Sequence, residues 1–173
     1  PFTQTQIDRT RSGYDPDLYP DVNWVDAITK DYAYTTRANV DVSGGSDFLR
    51  YSIVASYFRE TGILEQDKSL PVDNSTNNQQ FYLHSNLDMD VTKTTTLRVN
   101  IGGYLNRFRK QRCDTDGAFS NAFATLPFVH PTHYSDGSIP VISNRSNPWA
   151  EVTQGGYELN TASKIETLFA VEQ

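Results

Sequence analysis

The sequence lacks most of what defined chemistries are built from. Cys113 is the only cysteine in 173 residues, which excludes an internal disulfide framework and any multi-cysteine metal site. No apolar run approaches the ~20 residues a membrane helix requires, and the mean hydropathy of −0.56 is far too polar for a helical membrane protein. Neither fact touches β-barrels, whose strands alternate lipid-facing and lumen-facing residues. Positive charge is also in deficit. Fifteen Lys and Arg stand against 21 Asp and Glu, a net charge of −6, so no basic field exists to attract phosphate backbones and no nucleic-acid partner is expected. The chain carries no Gly-x-Ser-x-Gly elbow, no phosphate-cradling glycine loop and no His-Glu-x-x-His helix, so it reads as a non-enzyme without a cofactor. It opens Pro1-Phe2-Thr3, with no initiator methionine and no apolar signal core. The expectation is a fragment whose export signal lies elsewhere.

What remains is enough for a folded chain, since 37% of residues are hydrophobic, and its pattern has period two. The first segment, through "GYDPDLYPDVNW", is polar and turn-rich and reads as a loop, with one short helix expected at Trp24–Ile28. From Arg37, Ala38, Val40 and Val42 alternate with Asn39, Asp41 and Ser43. After a turn at Gly44–Asp47, Leu49, Tyr51, Ile53, Ala55 and Tyr57 share one face, with Arg50, Ser52 and Ser56 on the other. A long polar loop follows. A second hairpin places Phe81, Leu83, Leu87, Met89 and Val91 opposite in face to Tyr82, His84, Asn86, Asp88 and Asp90. It returns past Lys93 through Leu97, Val99, Ile101 and Leu105. The spacing then predicts a long connection containing a helix from Asp116 to Leu126, and a last alternating run at Ile165, Thr167, Phe169 and Val171.

Candidate chemical constellations resolve into structural readings. His130-Pro131-Thr132-His133 has two imidazoles but no accompanying ligand at a telling spacing, so no metal site is expected. Asp114-Thr115-Asp116-Gly117 begins like a calcium loop but lacks its downstream glutamate, and Asp116 reads as a helix cap. Asp88 and Asp90 share a strand face and read as solvated rather than as an acid–base pair. The glycosylation-type triplets at Asn74 and Asn144 are chance-level patterns.

Connections alternate short (Gly44–Asp47, Thr92–Thr94) with long (Thr61–Gln79, Arg109–Asn160). That asymmetry is characteristic of outer-membrane barrels, and strands of about 10 residues suffice to cross an apolar band of ~25 Å when tilted. By alternation alone a soluble sandwich is the favoured reading over a membrane barrel, because most alternating sheets have one watery face.

Four blocks carry a resemblance: "YPDVNWVDAI" (Tyr19–Ile28), "VSGGSDFLRYSIVASYFRETGIL" (Val42–Leu64), "SNLDMDVTKTTTLRVNIGG" (Ser85–Gly103), and "DGS" followed by "NPWAEV" and "GGY" (Asp136–Tyr157). In this order they resemble the SusC/RagA-like TonB-dependent transporters of Bacteroidetes outer membranes. The resemblance implies a 22-stranded, plugged barrel that imports glycans or peptides with a SusD-like surface lipoprotein, energised by TonB through parts absent from this chain. The fold class expected here is therefore all-β: an antiparallel meander of about five barrel strands with long outer loops and a short loop helix, residing in the cell outer membrane.

The implied division is a polar outer-loop segment at 1–36, two hairpins at 37–107, a long outer loop with its helix at 108–161, and the start of a further strand at 162–173. Leu49, Tyr51, Ile53, Ala55 and Tyr57 would then face lipid. The aromatic residues of the long loop, Tyr134, Trp149 and Tyr157, would lie on the substrate and lipoprotein side. The competing reading is a soluble all-β carbohydrate-binding module. Taken alone, a five-stranded open sheet would have to dimerise, aggregate, bind amphiphile, or fold its apolar face against its own helix and loops.

Overall fold

The computed structural model describes residues 2–141 and 147–173; the Asn144 triplet lies outside them. The chain forms a five-stranded antiparallel meander with a few short helices, and the sheet is not closed. Its strands are β1 (Thr35–Gly45), β2 (Leu49–Thr61), β3 (Asn77–Thr92), β4 (Thr95–Gln111) and β5 (Tyr157–Glu172), in the order β1-β2-β3-β4-β5. The helices are α1 (Gln4–Ser12), α2 (Trp24–Ile28), α3 (Thr115–Ala124) and α4 (Pro148–Thr153). The chain divides into two compact units, one comprising Ala33–Gly62, Asn77–Arg109 and Leu159–Gln173, the other Pro1–Tyr32, Ile63–Thr76 and Lys110–Glu158.

The first unit is the sheet. β1 and β2 are joined through Ser46–Phe48, where the Ser46 and Leu49 backbones exchange hydrogen bonds of 2.6 and 3.4 Å. β3 and β4 are joined through Lys93-Thr94, just past a register irregularity between Asp90 and Thr92. β3, β4 and β5 have 16, 17 and 16 residues, about three times the ordinary strand of ~5–6 residues and longer than the ten residues anticipated. Register is set by the alternation itself, because a one-residue slip would move every apolar side chain to the opposite face. Gly103 lets two strands approach closely: a Cβ there would lie 2.5 Å from the Lys164 carbonyl oxygen.

The second unit is where the polar segments condense. Trp24, Ile28, Leu64, Ala118, Ala122 and Val152 form a buried cluster, with Val22, Ala27, Cys113, Phe119 and Trp149 packed against it. The opening segment therefore is not a loop. It contains α1, whose Thr3 and Gln6 form a reciprocal capping box and whose end is turned by Gly13 at φ 62°, followed by α2 with two core residues. Leu64, from the polar connection, is tied to Thr29 by an isolated β-bridge. Asp114 occupies the N-cap position of α3 without a side-chain capping hydrogen bond, and Asp116 lies in the first turn rather than at the cap.

Two buried amides stitch this unit together. Asn74 donates to the Thr153 carbonyl at 2.6 Å, and Gln111 donates to the carbonyls of Glu65 and Val152 at 2.6 and 3.3 Å. Such bonds tie backbone carbonyls that burial would otherwise leave unpaired at a cost of ~1–3 kcal/mol each. Asn74 is 1% exposed, which removes the triplet it begins from the surface.

Candidate lipid-facing sheet face

Cross-strand register sorts the sheet into two chemically different faces. On one, successive rows across β1 to β4 read Ala38–Tyr57–Phe81–Leu105, then Val40–Ala55–Leu83–Gly103, then Val42–Ile53–Ser85–Ile101, then Gly44–Tyr51–Leu87–Val99, and finally Leu49–Met89–Leu97. Ile165 joins this face from β5, beside Gly103. Small residues at Ala38, Ala55 and Gly103 leave a shallow apolar depression of about 710 Å³, walled by Tyr57, Phe81, Leu105 and Ile165.

The band has a defined height. Eight residues separate Phe81 from Met89, roughly 27 Å along the strand at ~3.4 Å per residue. Tilted 35–45°, that is roughly 19–22 Å, before side-chain reach is added, against an apolar band of ~25 Å in membrane barrels. At one end the Tyr57 and Phe81 rings stand 4.9 Å apart, and the next row, Thr36–Arg59–Gln79–Arg107, contains no apolar residue.

This face is not buried. No residue of the sheet unit is classed as buried; Val40 is 59% exposed, Leu83 50% and Ile165 81%. All six residues of the hydrophobic core belong to the other unit.

The opposite face is polar. Arg50, Asp88 and Arg98 stand in one row, so charges of alternating sign face each other across three strands. Arg98 lies 3.8 Å from Asp88 and 2.5 Å from Glu172 of β5, while Arg50 lies 3.4 Å from Asp90. Asp90 also accepts a 2.8 Å bond from the Thr96 hydroxyl. Asp88 and Asp90 thus each have an arginine of their own and do not form a carboxylate dyad. Further rows are Ser52–Asn86–Asn100 and Ser56–Tyr82–Tyr104.

The remaining candidates fall in the helical unit. Trp149, at the start of α4, is half-buried against the core, its ring 5.2 Å from that of His133. Its helix begins at Asn147, whose side chain accepts from the Trp149 and Ala150 amides, with proline at the first helical position. Tyr134 opens a turn in which its amide donates to Ser138. Tyr157 is the first residue of β5 rather than part of the loop, and is 43% exposed. None of the three lines the apolar depression. His130 is buried over Trp24, ring centroids 4.7 Å apart, so the two histidines of the pair serve different aromatic contacts. Among the described residues no three His, Cys, Asp or Glu side chains are grouped to hold a metal ion.

Three groups here depart from ordinary ionisation. Hydrogen bonds from the Ser69 side chain and amide hold Asp67 below the usual carboxylate range, and the same arrangement from Ser138 lowers Asp136. Burial pushes the Cys113 thiol up, so it is a poor nucleophile at neutral pH.

Sequence reasoning missed α1 and α4, although the Thr3-x-x-Gln6 box and the Asn147-Pro148 start are recognised signals. Compared with known proteins, the chain matches no family model and no curated protein. No described helix is long and apolar enough to cross a membrane, which says nothing of strands.

Proposed function

We propose that this chain is a sector of an outer-membrane β-barrel, of the kind found in SusC/RagA-like TonB-dependent importers. Its sheet forms part of the wall between lipid and lumen. The observation that carries the reading is a sheet of long strands with a continuous apolar band on one face, a charged ladder on the other, and no buried residue. Alternating connection lengths support it: Ser46–Phe48 and Lys93-Thr94 are short, whereas β2 to β3 and β4 to β5 are joined by long connections.

In a five-stranded antiparallel meander β1 and β5 run the same way, so antiparallel closure requires an odd number of further strands, giving the even total usual for such barrels. Under this reading the lipid-facing rows contact membrane, Tyr134, Trp149 and Tyr157 lie toward substrate and a SusD-like lipoprotein, and the cargo is glycan or peptide. TonB couples through other parts of the transporter, and this chain performs no chemistry of its own.

The test is mass by light scattering after gel filtration, with far-UV circular dichroism, in buffer with and without mild detergent. A rise in strand signal on detergent binding is expected. A monodisperse, β-rich monomer indifferent to detergent would transfer support to the soluble carbohydrate-binding module, whose sheet must find a protein cover.

A further inference from the structure

We propose that Arg59 and Arg107, together with the apolar depression beside them, bind one anionic, phosphate-bearing lipid. The arginines take its headgroup and the depression takes an acyl chain. The inference rests on the reading of this face as lipid-facing.

Charge on the five strands is sorted by face. Every Asp and Glu they carry, from Asp41 and Glu60 to Asp88, Asp90, Glu166 and Glu172, takes the polar face, where Arg50, Arg98 and Lys164 make their ion pairs. Among the described residues the apolar face has no carboxylate, and its only cations are Arg59, Arg107 and Arg109. All three stand at one end, in the rows Thr36–Arg59–Gln79–Arg107 and Thr61–Asn77–Arg109. The chain as a whole carries a net charge of −6, so its diffuse field repels an anionic headgroup. Attraction at this end has to be local.

The height of the arginine row fits a headgroup. It lies two residues beyond Tyr57–Phe81–Leu105, ~7 Å along the strand at ~3.4 Å per residue, or roughly 5–6 Å after a tilt of 35–45°. Headgroup layers add about 5–7.5 Å to each side of a ~30 Å hydrocarbon core. Arg59 is exposed, and its Nε donates to Asn77 Oδ1, one row farther out, at 3.3 Å. That bond directs the guanidinium away from the apolar band, as a snorkelling side chain requires. Arg107 is also exposed. The two arginines flank Gln79, so their backbones are two strand spacings, about 9.5 Å, apart. Two long side chains can close that span around one phosphate, whose oxygens guanidinium forks match.

The apolar half of the site adjoins the charged half. Ala38, Ala55 and Gly103 floor the depression, and its first row, Ala38–Tyr57–Phe81–Leu105, is the one next to the arginines. An acyl chain lying there begins one row from the groups that hold its headgroup. A neutral lipid would use the depression alone.

The test is native mass spectrometry of the full chain in mixed micelles containing phosphatidylglycerol or phosphatidylcholine with identical acyl chains. One phosphatidylglycerol per chain is expected to be held at least about tenfold more tightly than phosphatidylcholine. Arg59→Gln combined with Arg107→Gln is expected to abolish that preference. Lys68→Gln combined with Lys93→Gln removes the same charge elsewhere and is expected to preserve it. Ala55→Phe, which fills the depression, is expected to weaken retention of both lipids. Equal retention of the two lipids by the parent chain, or equal loss of preference in the lysine variant, would overturn the proposal and leave the lipid-facing reading intact. A chain that binds neither lipid and ignores detergent would overturn both.

Discussion

Tyr57 on β2 and Phe81 on β3 are direct cross-strand partners, their ring centroids 4.9 Å apart and their planes inclined by 40°. They close one end of the apolar band, and the row beyond them turns to arginine and glutamine. Aromatic pairs at this distance contribute ~0.5–1.5 kcal/mol beyond area burial. A double-mutant cycle with Tyr57→Ala and Phe81→Ala, by urea unfolding in detergent, is expected to give a coupling in that range. Strict additivity would show that the rings do not act as a pair.

The two faces of β4 should respond oppositely to charge. Ile101 sits in the central apolar row and Asn100 beside it on the polar face. In lipid or detergent, Ile101→Arg is expected to cost about 2–4 kcal/mol, as for lipid-facing positions near a bilayer midplane. Asn100→Arg should stay within ~0.5 kcal/mol. Equal costs at the two positions would mean that both faces meet the same solvent.

The helical unit has an ordinary water-excluding core, and its behaviour should be conventional. Ile28 is fully buried there, so Ile28→Ala is expected to cost about 2–5 kcal/mol and Ile28→Val ~0.5–1.5 kcal/mol. Near-UV circular dichroism and Trp24 fluorescence, followed through denaturant unfolding, report the change.

How far the sequence was legible follows from which interactions are local. β1 to β4 could be read because alternation of the kind running from Phe81 to Met89 records which face each side chain takes, and a hairpin's partner lies next in the chain. Trp24–Ile28 was visible as a short helix for the same local reason. The helical unit's core was not legible, because it joins Trp24, Leu64, Ala118 and Val152 from three separate segments. Two of its ties, Asn74 and Gln111, are amides that sequence reasoning assigns to solvent. Of the candidate site, the apolar face was read from the pattern. The alternating ladder of Arg50, Asp88 and Arg98 emerges only with the register.

Acid should loosen the connection held by Asp67. Its carboxylate accepts from the Ser69 hydroxyl at 2.6 Å and amide at 2.9 Å, and from Gln154 at 2.9 Å, which lowers its pKa in the folded chain. A lowered folded-state pKa contributes stability above the unfolded value of ~3.9, and that stability is lost as pH falls through the folded value. Asp67→Asn is therefore expected to lower the melting temperature slightly at pH 7 and to flatten its decline below about pH 4. A variant whose melting profile parallels the parent's at every pH would show that this carboxylate does not contribute.

The central claim is that one face of the sheet meets lipid, and β3 tests it most directly because its residues alternate between the two faces. Single cysteines at Leu83, Ser85 and Leu87, and at His84 and Asn86, would be labelled with an environment-sensitive fluorophore in a Cys113→Ser background. The proteins would then be reconstituted into vesicles carrying a quencher on the acyl chains. The account predicts blue-shifted emission and strong quenching at 83, 85 and 87, with neither at 84 and 86. Uniform emission along the strand, or quenching at 84 and 86 instead, would contradict it.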